Sequence, residues 1–457
     1  MLDRRSFMMG TAGALAASPL LPSAALAADR SGYKALVCVM MLGGADTHDL
    51  LIGHDQPSYD AWADQRRSIL NNYEAGENPT ARARDRLLRL DPLNGGEFGS
   101  RAFGMPPEMA SLKDLFDRGD MAFVPNVGPL IEPVTRQQVK DKTARVPSKI
   151  GSHNDQRSTW QAFSGEGAKA GWGGLILDAV GESSPYTAIS ARSQTVFLQG
   201  EDTVQLQVPS NGQFKRAYGM DKTIYGNEEI TQAIRSYYSN AADHLSNPLM
   251  RDIVRAQGNA VDNMEVLAEL LDGPSIGDTV RIEGNGWSQQ LATVADMIGL
   301  RNEFGVSRQV FQVSAGGWDT HKDQHERIPG LLGGLSQAIA SFQAAIDAAG
   351  LSDSVTLFTM SDFGRTLQAN SSGTDHGWGG HHMVVGGAVR GQRIHGRVPE
   401  FAPDHDRDFK RGALIPEISV DQYGAELARW FGLTQSELDL VFPNRRNFDP
   451  GALQLFA

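Results

Sequence analysis

The fold is decided by the stretch from Val355 to Thr366, which reads VTLFTMSDFGRT. Its first six residues form an apolar run that is long enough for a buried parallel strand and too short for a typical helix. Asp362 follows the run almost at once, and open α/β sheets place their ligand-binding groups at the carboxyl ends of the strands. We therefore expect the chemistry in the glycine- and histidine-rich loop that comes after this strand.

Two earlier stretches repeat the pattern of a buried strand that leads into glycine and aspartate. The apolar run from Ala35 to Met41 precedes Asp46, and the run from Val310 to Ser314 precedes Asp319. Amphipathic helices between the apolar runs give a β-α-β order, which predicts a parallel sheet. Because the carboxyl ends of parallel strands meet at one edge of a sheet, we expect these two aspartates to converge with Asp362.

Histidines accompany these aspartates in the sequence. His321 lies two residues after Asp319, and His376 follows in the loop after Asp362. Carboxylate and imidazole ligands without thiolate suit Zn²⁺ or Mn²⁺, as one ion or as a pair. The alternative is that the aspartates form turns or caps and the histidines are surface or satisfied core residues. The joint pattern favours a divalent metal site built from Asp46, Asp319, His321, Asp362 and His376.

Three further residues are candidates for catalysis. Ser152 and His153 stand at the start of a predicted helix, where exposed N–H groups and the helix dipole can stabilise an anionic adduct on a serine nucleophile. Ser152 can equally act as a simple helix cap, and His153 carries the same ambiguity. Arg365 is a candidate clamp for an oxyanion, or else the partner of a structural carboxylate.

Composition and charge exclude several classes of partner. The chain has 457 residues, of which 40% are hydrophobic and 21% are charged, as in ordinary soluble globular proteins. Its formal net charge of -12 argues against nucleic acid or an anionic membrane as partner. The single cysteine, Cys38, lies in a predicted buried strand, so an intramolecular disulfide is impossible and metal ligation by thiolates is disfavoured.

The first 27 residues predict an export signal. Arg4 and Arg5 precede a weakly apolar run over residues 9–21 and a small-x-small cleavage pattern over residues 25–27. This pattern indicates twin-arginine export of a folded protein, with the twin-arginine translocase as a transient partner and a periplasmic or secreted location. The alternative, an uncleaved membrane anchor, is disfavoured because a spanning helix needs about 20 apolar residues. We expect no stable membrane insertion.

The middle of the chain is less patterned. Residues 171–212 predict short strands and turns with an antiparallel patch, and residues 229–271 are helical and amphipathic. We interpret residues 171–271 as a cap or an insertion within one domain over residues 33–457.

Taken jointly, the motifs of this chain resemble a bacterial family catalogued as domain of unknown function 1501. The motifs are the twin-arginine leader, Gly43-Gly44-x-Asp46, Ser152-His153, the run from Gly317 to His321, the run from Ser361 to Thr366, the run from Gly373 to Gly377, and Gly386-Gly387 before Arg390-Gly391. In motif order that family is similar to the alkaline-phosphatase-like superfamily, which includes alkaline phosphatases, sulfatases and cofactor-independent phosphoglycerate mutases. The resemblance implies an α/β fold of three layers, α/β/α, with a mostly parallel central sheet.

The resemblance also implies roles for individual residues. In the superfamily, an Asp after the first strand, an Asp with a nearby His, a later Asp and a last His bind two metals, and a Ser or Thr at a helix start is the nucleophile. The matching positions here are Asp46, Asp319 with His321, Asp362, His376 and Ser152. This chain departs from the pattern in three ways, namely Phe363 in place of a His, a shorter spacing from Asp319 to His321, and Thr47-His48-Asp49 after Asp46 in place of Gly and Asn.

Two hypotheses of function follow. The first is an exported metal-dependent hydrolase of phosphate or sulfate esters, in which Ser152 attacks a small anionic ester substrate. The second is a secreted binding or assembly protein that keeps the same fold without catalysis, in which the aspartates and histidines serve structure. Metal content separates the two, because less than about 0.2 metal ion per chain without stabilisation by added Zn²⁺ or Mn²⁺ favours the second.

Overall fold

The computed structural model describes residues 30–182, 184–212, 227–240, 245–271 and 273–457, so the predicted export signal over residues 1–27 lies outside the described residues. The architecture is mixed α/β. The strands are β1 (Lys34–Met41), β2 (Ile52–Gly53), β3 (Leu88–Leu90), β4 (Phe103–Met105), β5 (Met121–Gly128), β6 (Ala188–Ser190), β7 (Leu206–Gln207), β8 (Arg308–Ala315), β9 (Val355–Ser361), β10 (Arg365–Ala369), β11 (Thr374–His376), β12 (Gly380–Val385), β13 (Arg393–Ile394), β14 (Asp408–Lys410), β15 (Ala413–Leu414) and β16 (Ile418–Ser419). The α-helices are α1 (Gln56–Gln65), α2 (Arg67–Ala75), α3 (Ala110–Arg118), α4 (Arg136–Lys140), α5 (His153–Ala162), α6 (Trp172–Val180), α7 (Glu228–Asn240), α8 (Pro248–Leu270), α9 (Gly286–Gly299), α10 (Gln324–Ala348), α11 (Val420–Phe431) and α12 (Gln435–Val441).

A nine-stranded sheet forms the centre of the fold. Its strand order is β13-β5-β12-β9-β1-β8-β6-β7, and β16 pairs with β5 beside this path. Strand β12 is antiparallel to both of its neighbours, whereas the other pairings in this sheet are parallel. The prediction of a mostly parallel central sheet is therefore confirmed.

Helices cover both faces of this sheet. Successive side chains of a strand point to opposite faces, so each central strand contributes to two cores. In β1, Ala35, Val37 and Val39 belong to a core that also contains apolar residues of α3, α9 and α10. Leu36 and Cys38 belong to a second core, which contains residues of α6, α11 and α12. All of these β1 side chains are fully buried, and burying a Val or Leu side chain contributes roughly 1.5–3 kcal/mol. The strand therefore reads as a continuous apolar run because both of its faces are packed.

Residues 171–271 hold two kinds of structure. Strands β6 and β7 extend the edge of the central sheet in parallel pairing, and α6 packs on one of its faces. The short strands expected over residues 171–212 are present as β6 and β7, but the expectation that they pair antiparallel is wrong. Helices α7 and α8 contact each other farther along the chain. None of the helices in the described ranges combines the length and apolar character needed to cross a membrane.

Candidate metal centre

Three loops meet at one edge of the central sheet. Strand β1 lies between β8 and β9 in parallel pairing, and Met41 at its end is level with Ala315 of β8 and Ser361 of β9. The loops that follow these strands carry Gly43, Asp319 and Asp362 respectively. The contact between the first and third loops is direct, since the backbone N–H of Gly43 donates to Oδ2 of Asp362 over 3.1 Å.

Two glycines allow the first loop to pass close to the other two. A Cβ atom on Gly43 would lie 2.6 Å from the backbone nitrogen of Asp319, and a Cβ atom on Gly44 would lie 2.2 Å from Cε2 of Phe363. Both glycines also have positive φ angles, +120° and +74°, which residues with side chains adopt at a cost. The Gly-Gly pair after β1 is therefore needed for the close packing of the three loops.

Helix α5 adds His153 to this edge from a different part of the chain. Its Nδ1 atom lies 2.8 Å from Oδ2 of Asp362, and in the tautomer with hydrogen on Nδ1 the ring donates to this carboxylate and Nε2 carries a lone pair. Nε2 then lies 3.7 Å from Oδ2 of Asp319. Asp362 itself is buried, and this burial raises the pKa of its carboxyl group although His153 lowers it.

A cluster of imidazole nitrogens surrounds the carboxylate of Asp319. One donor atom from each of His153, Asp319 and His376 lies within 4.8 Å of the others. His321 joins them, with Nε2 at 3.1 Å from Oδ1 of Asp319 and at 2.8 Å from Nε2 of His376. We call these four residues the imidazole cluster. It collects Asp319, His321 and His376, as the sequence predicts, and adds His153.

The outer nitrogen of each imidazole faces an oxygen atom. Nδ1 of His376 donates to the carbonyl oxygen of Gly151 over 2.7 Å, and Nδ1 of His321 lies 3.5 Å from Oδ1 of Asp375. His153 has the corresponding contact with Asp362. Oxygen partners at Nδ1 of His153 and His376 favour the tautomer that places a lone pair on Nε2, an arrangement that surrounds histidines bound to metals in proteins, and Nε2 of His376 shares its contact with Nε2 of His321. The donor set of three imidazoles and one carboxylate therefore fits Zn²⁺ or Mn²⁺.

Burial and the charge of Arg365 keep Asp319 and His376 in the forms that bind cations. Partial burial raises the pKa of Asp319, but the hydrogen bond and charge of Arg365 outweigh burial and hold that pKa below its ordinary value. Burial lowers the pKa of His376, and the charge of Arg365 adds to this effect. At neutral pH the carboxyl group is therefore ionised and the imidazole of His376 is neutral.

Arg365 is buried beside Asp319 and is not exposed to solvent. Its guanidinium is fully buried and donates to Oδ1 of Asp319 over 2.9 Å. It also donates to the carbonyl oxygens of Gly43, Gly44 and Thr374. With these contacts Arg365 holds Asp319 and the first loop in place, and the structure does not present it as a clamp for a substrate anion.

Phe363 forms an apolar wall beside the cluster. The centre of its ring lies 4.8 Å from that of His153 and 4.6 Å from that of His376. Phe363 is fully buried, and Gly44 packs against its edge. The resemblance described above implied a histidine at this position. Phe363 stands there instead, packs on two candidate ligands and offers no donor atom.

Asp46 does not converge on the cluster as the sequence analysis expects. Its carboxylate accepts hydrogen bonds from both Nη atoms of Arg66, one of them over 2.7 Å, and another from the side-chain amide of Gln324. Both partners of the ion pair are buried, with Asp46 and Arg66 at most 1% exposed in their side chains. Burial raises the pKa of Asp46, but Arg66 outweighs it and the pKa is lowered. A structural ion pair therefore occupies the carboxylate that was expected to bind metal.

Ser152 stands immediately before α5, between the carbonyl of Gly151 and the imidazole of His153. Its side chain makes no capping hydrogen bond. Instead, its hydroxyl donates to Oδ2 of Asp155 over 2.9 Å, and Lys149 lies 3.3 Å from the same oxygen. Ser152 therefore does not cap α5 through its side chain, because its hydroxyl donates to a carboxylate one turn along the helix.

Other histidines near these motifs in sequence lie elsewhere in the fold. His381 and His382 are buried within β12, where burial lowers the pKa of His382 to about 3. The ring of His325 packs edge-on against Tyr73. Sequence proximity therefore does not distinguish the cluster histidines from those of the core.

Arg157 is a residue that the sequence analysis missed. It lies four residues after His153 on α5, so the two side chains share one face of the helix. It is half-buried, donates to Oδ1 of Asn154 over 3.2 Å, and its charge acts on Asp362. Helical spacing from His153 is the signal that would have identified it.

Comparison with solved structures finds only distant similarity. The C-terminal periplasmic domain of EcEptC from Escherichia coli matches at 9% sequence identity and a TM-score of 0.36, with 91% of this chain and 87% of that chain covered. The zinc complex of that domain matches at 10% identity and a TM-score of 0.36, with 94% of each chain covered. Ps i-CgsB matches at 11% identity and a TM-score of 0.34, with 92% of this chain and 77% of that chain covered.

Comparison with curated proteins finds no match. A family model described as "Protein of unknown function (DUF1501)" matches residues 33–441, which span most of the chain and include every residue of the imidazole cluster. The protein therefore belongs to the DUF1501 family.

Proposed function

We propose that this protein is an exported hydrolase of phosphate or sulfate esters that depends on a divalent metal ion, Zn²⁺ or Mn²⁺. The observation that carries the proposal is the convergence of three imidazole Nε2 atoms on the carboxylate of Asp319, with each Nδ1 facing an oxygen. His153, Asp319, His321 and His376 would hold the ion. A bound divalent ion supplies positive charge that stabilises the negative charge developing on the transferred group.

Nothing in the cluster itself requires a second ion. Asp46 is held by Arg66, and Arg365 places a fixed positive charge at 2.9 Å from Oδ1 of Asp319. In this proposal Asp362 positions His153 through their hydrogen bond. Arg365 acts in the same way on Asp319.

Ser152 is the proposed nucleophile. Its Oγ atom forms the bond to phosphorus or sulfur, its proton passes to Asp155, and the bond between the ester oxygen and phosphorus or sulfur breaks. Asp155 then passes this proton to the departing alkoxide, which leaves as the alcohol. One water next attacks the phosphorus or sulfur, so that phosphate or sulfate leaves and the Ser152 hydroxyl is restored. Over the whole cycle one ester and one water give one alcohol and one inorganic anion.

The first test is elemental analysis of the exported protein together with hydrolysis of phosphomonoesters, phosphodiesters and sulfate esters. We expect about one Zn²⁺ or Mn²⁺ per chain, and loss of hydrolysis after chelation. His376→Ala should lose both metal and activity. His54→Gln, which changes a histidine outside the cluster, should keep both. A chain that binds less than about 0.2 ion and hydrolyses none of these esters would support the alternative of a binding or assembly protein.

The second test addresses the nucleophile. Ser152→Ala should retain metal and stability while its turnover falls by at least about a thousandfold, because the bond-forming atom is absent. Ser341→Ala, which removes an exposed hydroxyl on α10, is the matched control. Full turnover of every ester by Ser152→Ala would overturn the assignment of Ser152 and leave direct attack by water.

A further inference from the structure

A polar cleft lies along α5, the helix that begins with His153. His153, Arg157 and Gln161 follow one another at spacings of four residues, so their side chains form one stripe on the helix. His153 belongs to the cluster, while Arg157 and Gln161 line a cleft of about 340 Å³. Leu42 lines the same cleft and directly precedes Gly43, which donates to Asp362. Two of the cleft's lining residues, Leu42 and Arg157, are thus close along the chain to groups that contact the cluster or belong to it.

The cleft walls are mainly uncharged and polar. Eight of its eleven lining residues are Ser, Thr, Asn or Gln, one is Arg157, and none is a carboxylate or an aromatic residue. Amide and hydroxyl groups both donate and accept hydrogen bonds, as alcohol groups do. Such walls offer little to a flat aryl group, which needs apolar or aromatic contact.

Gln312, which lines the cleft, has a buried side-chain oxygen without a hydrogen-bond donor. Its side chain is 5% exposed, and Oε1 accepts no hydrogen bond. Leaving a buried acceptor without a donor costs free energy, and a ligand that supplies the donor recovers it. Oε1 has almost no accessible surface, so a hydroxyl group in the cleft supplies the missing donor once the Gln312 amide turns towards it, whereas an aryl or alkyl group has no donor to supply.

We infer that this cleft receives the alcohol portion of the ester and that this portion is polyhydroxylated, of the size of a single sugar. The inference rests on the proposed hydrolysis and names its substrate class. The volume lies within the range of small-molecule sites, roughly 300–1,000 Å³. Arg157 lines the cleft and its charge also acts on Asp362, so in this inference it attracts the anionic group of the ester.

The test compares sugar esters with aryl esters on the full-length protein. The probes are glucose 6-phosphate and glucose 6-sulfate, with phenyl phosphate and phenyl sulfate as their aryl counterparts. We expect at least a tenfold preference in kcat/KM for one sugar ester over its aryl counterpart. Gln312→Leu should reduce this preference at least tenfold. The ratio of two substrates does not depend on the fraction of folded enzyme, so reduced stability of the variant does not disturb the readout.

The matched control is Gln309→Leu, which removes a buried glutamine of the same strand outside the cleft. It should leave the preference unchanged. Equal use of sugar and aryl esters by the wild type, or an equal loss of preference in both variants, would overturn the inference.

Binding separates this inference from the proposed function. We expect calorimetric titration of the chelator-treated protein to give a Kd for one sugar ester at least tenfold lower than for its aryl counterpart, and Gln312→Leu to remove the difference. Such selective binding without any hydrolysis would count against the proposed function and support the cleft. Hydrolysis of aryl esters without selective sugar binding would support the function and overturn the cleft.

Discussion

The Nδ1 atom of His153 lies 2.8 Å from Oδ2 of Asp362, and Nε2 of the same ring faces Asp319. His153 comes from the start of α5 and Asp362 from the end of β9, so this contact joins two distant parts of the chain. Asp362 thereby orients a candidate metal ligand.

Asp362→Asn is expected to weaken Zn²⁺ binding by about 10–100-fold, the usual effect of changing a partner that orients a ligand. The amide still occupies the space but no longer offers a charged acceptor to Nδ1 of His153. Competition with a chelator measures the affinity. Asp114→Asn, an exposed aspartate on α3, serves as control. Unchanged affinity in Asp362→Asn would show that His153 does not bind the ion or needs no orientation.

Asp46→Asn is expected to destabilise the fold by about 3–5 kcal/mol, because it leaves the buried charge of Arg66 without its partner. The metal content per folded chain should not change. Denaturant unfolding and elemental analysis measure the two quantities. The double variant Asp46→Leu with Arg66→Met removes both charges and should lose less stability than Asp46→Asn. Loss of metal from folded Asp46→Asn would restore Asp46 to the metal site.

Gly44→Ala is expected to destabilise the fold by about 2–4 kcal/mol, from a positive φ angle together with a clash against Phe363. Metal binding should weaken as well, because Phe363 packs on His153 and His376. Gly32→Ala is the matched control, since Gly32 has a similar φ of +67° and no atom within 4 Å of an added Cβ. Equal effects of both variants on metal affinity would exclude a link between Phe363 and the cluster.

Buried histidines predict a loss of stability in acid. Burial lowers the pKa of His382 to about 3 and that of His48 to about 4, against an unfolded value of about 6.5. The folded state binds these protons less readily, so their contribution to stability is complete above pH 6.5 and is lost as the pH falls towards the folded values.

The measurement is the free energy of unfolding at pH 7 and pH 5. Each of these histidines should lower the free energy of unfolding by about 2 kcal/mol between pH 7 and pH 5. The loss begins near pH 6.5 and amounts to about 1.4 kcal/mol for each pH unit below that value. His382→Gln should show a smaller loss than the wild type by about that amount. His54→Gln, which changes a half-buried histidine, is the comparison. The same pH dependence in wild type and His382→Gln would contradict the buried neutral state of His382.

The central strands could be predicted from the sequence because they are buried on both faces. Continuous apolar runs in β1, β8 and β9 identify the strands, and their order with intervening helices predicts parallel pairing. Helix α6 was missed because it contains Gly173 and Gly174, which disfavour a helix. In the fold these glycines lie against Phe197 and the backbone of Gln199, where a Cβ would come as near as 2.3 Å. Tertiary packing decides this helix, and local propensity cannot reveal it.

The candidate site could be predicted in part for the same reason. Strand ends identify Asp319 and Asp362, and nearby histidines identify His321 and His376. Asp46 satisfies the same pattern, but its ion pair with Arg66 depends on the path of the chain between them. His153 was assigned to catalysis because it stands beside Ser152 at the start of a predicted helix. In the structure, His153 contacts Asp362, which lies more than two hundred residues later in the sequence, and this contact places His153 among the candidate metal ligands.

The donor atoms around Asp319 come from positions 153, 319, 321 and 376 of the chain. During synthesis the last of these residues leaves the ribosome only when more than four fifths of the chain has been made. A chain that ends before His376 therefore lacks part of the candidate ligand set, and the proposed metal site can form only late in synthesis.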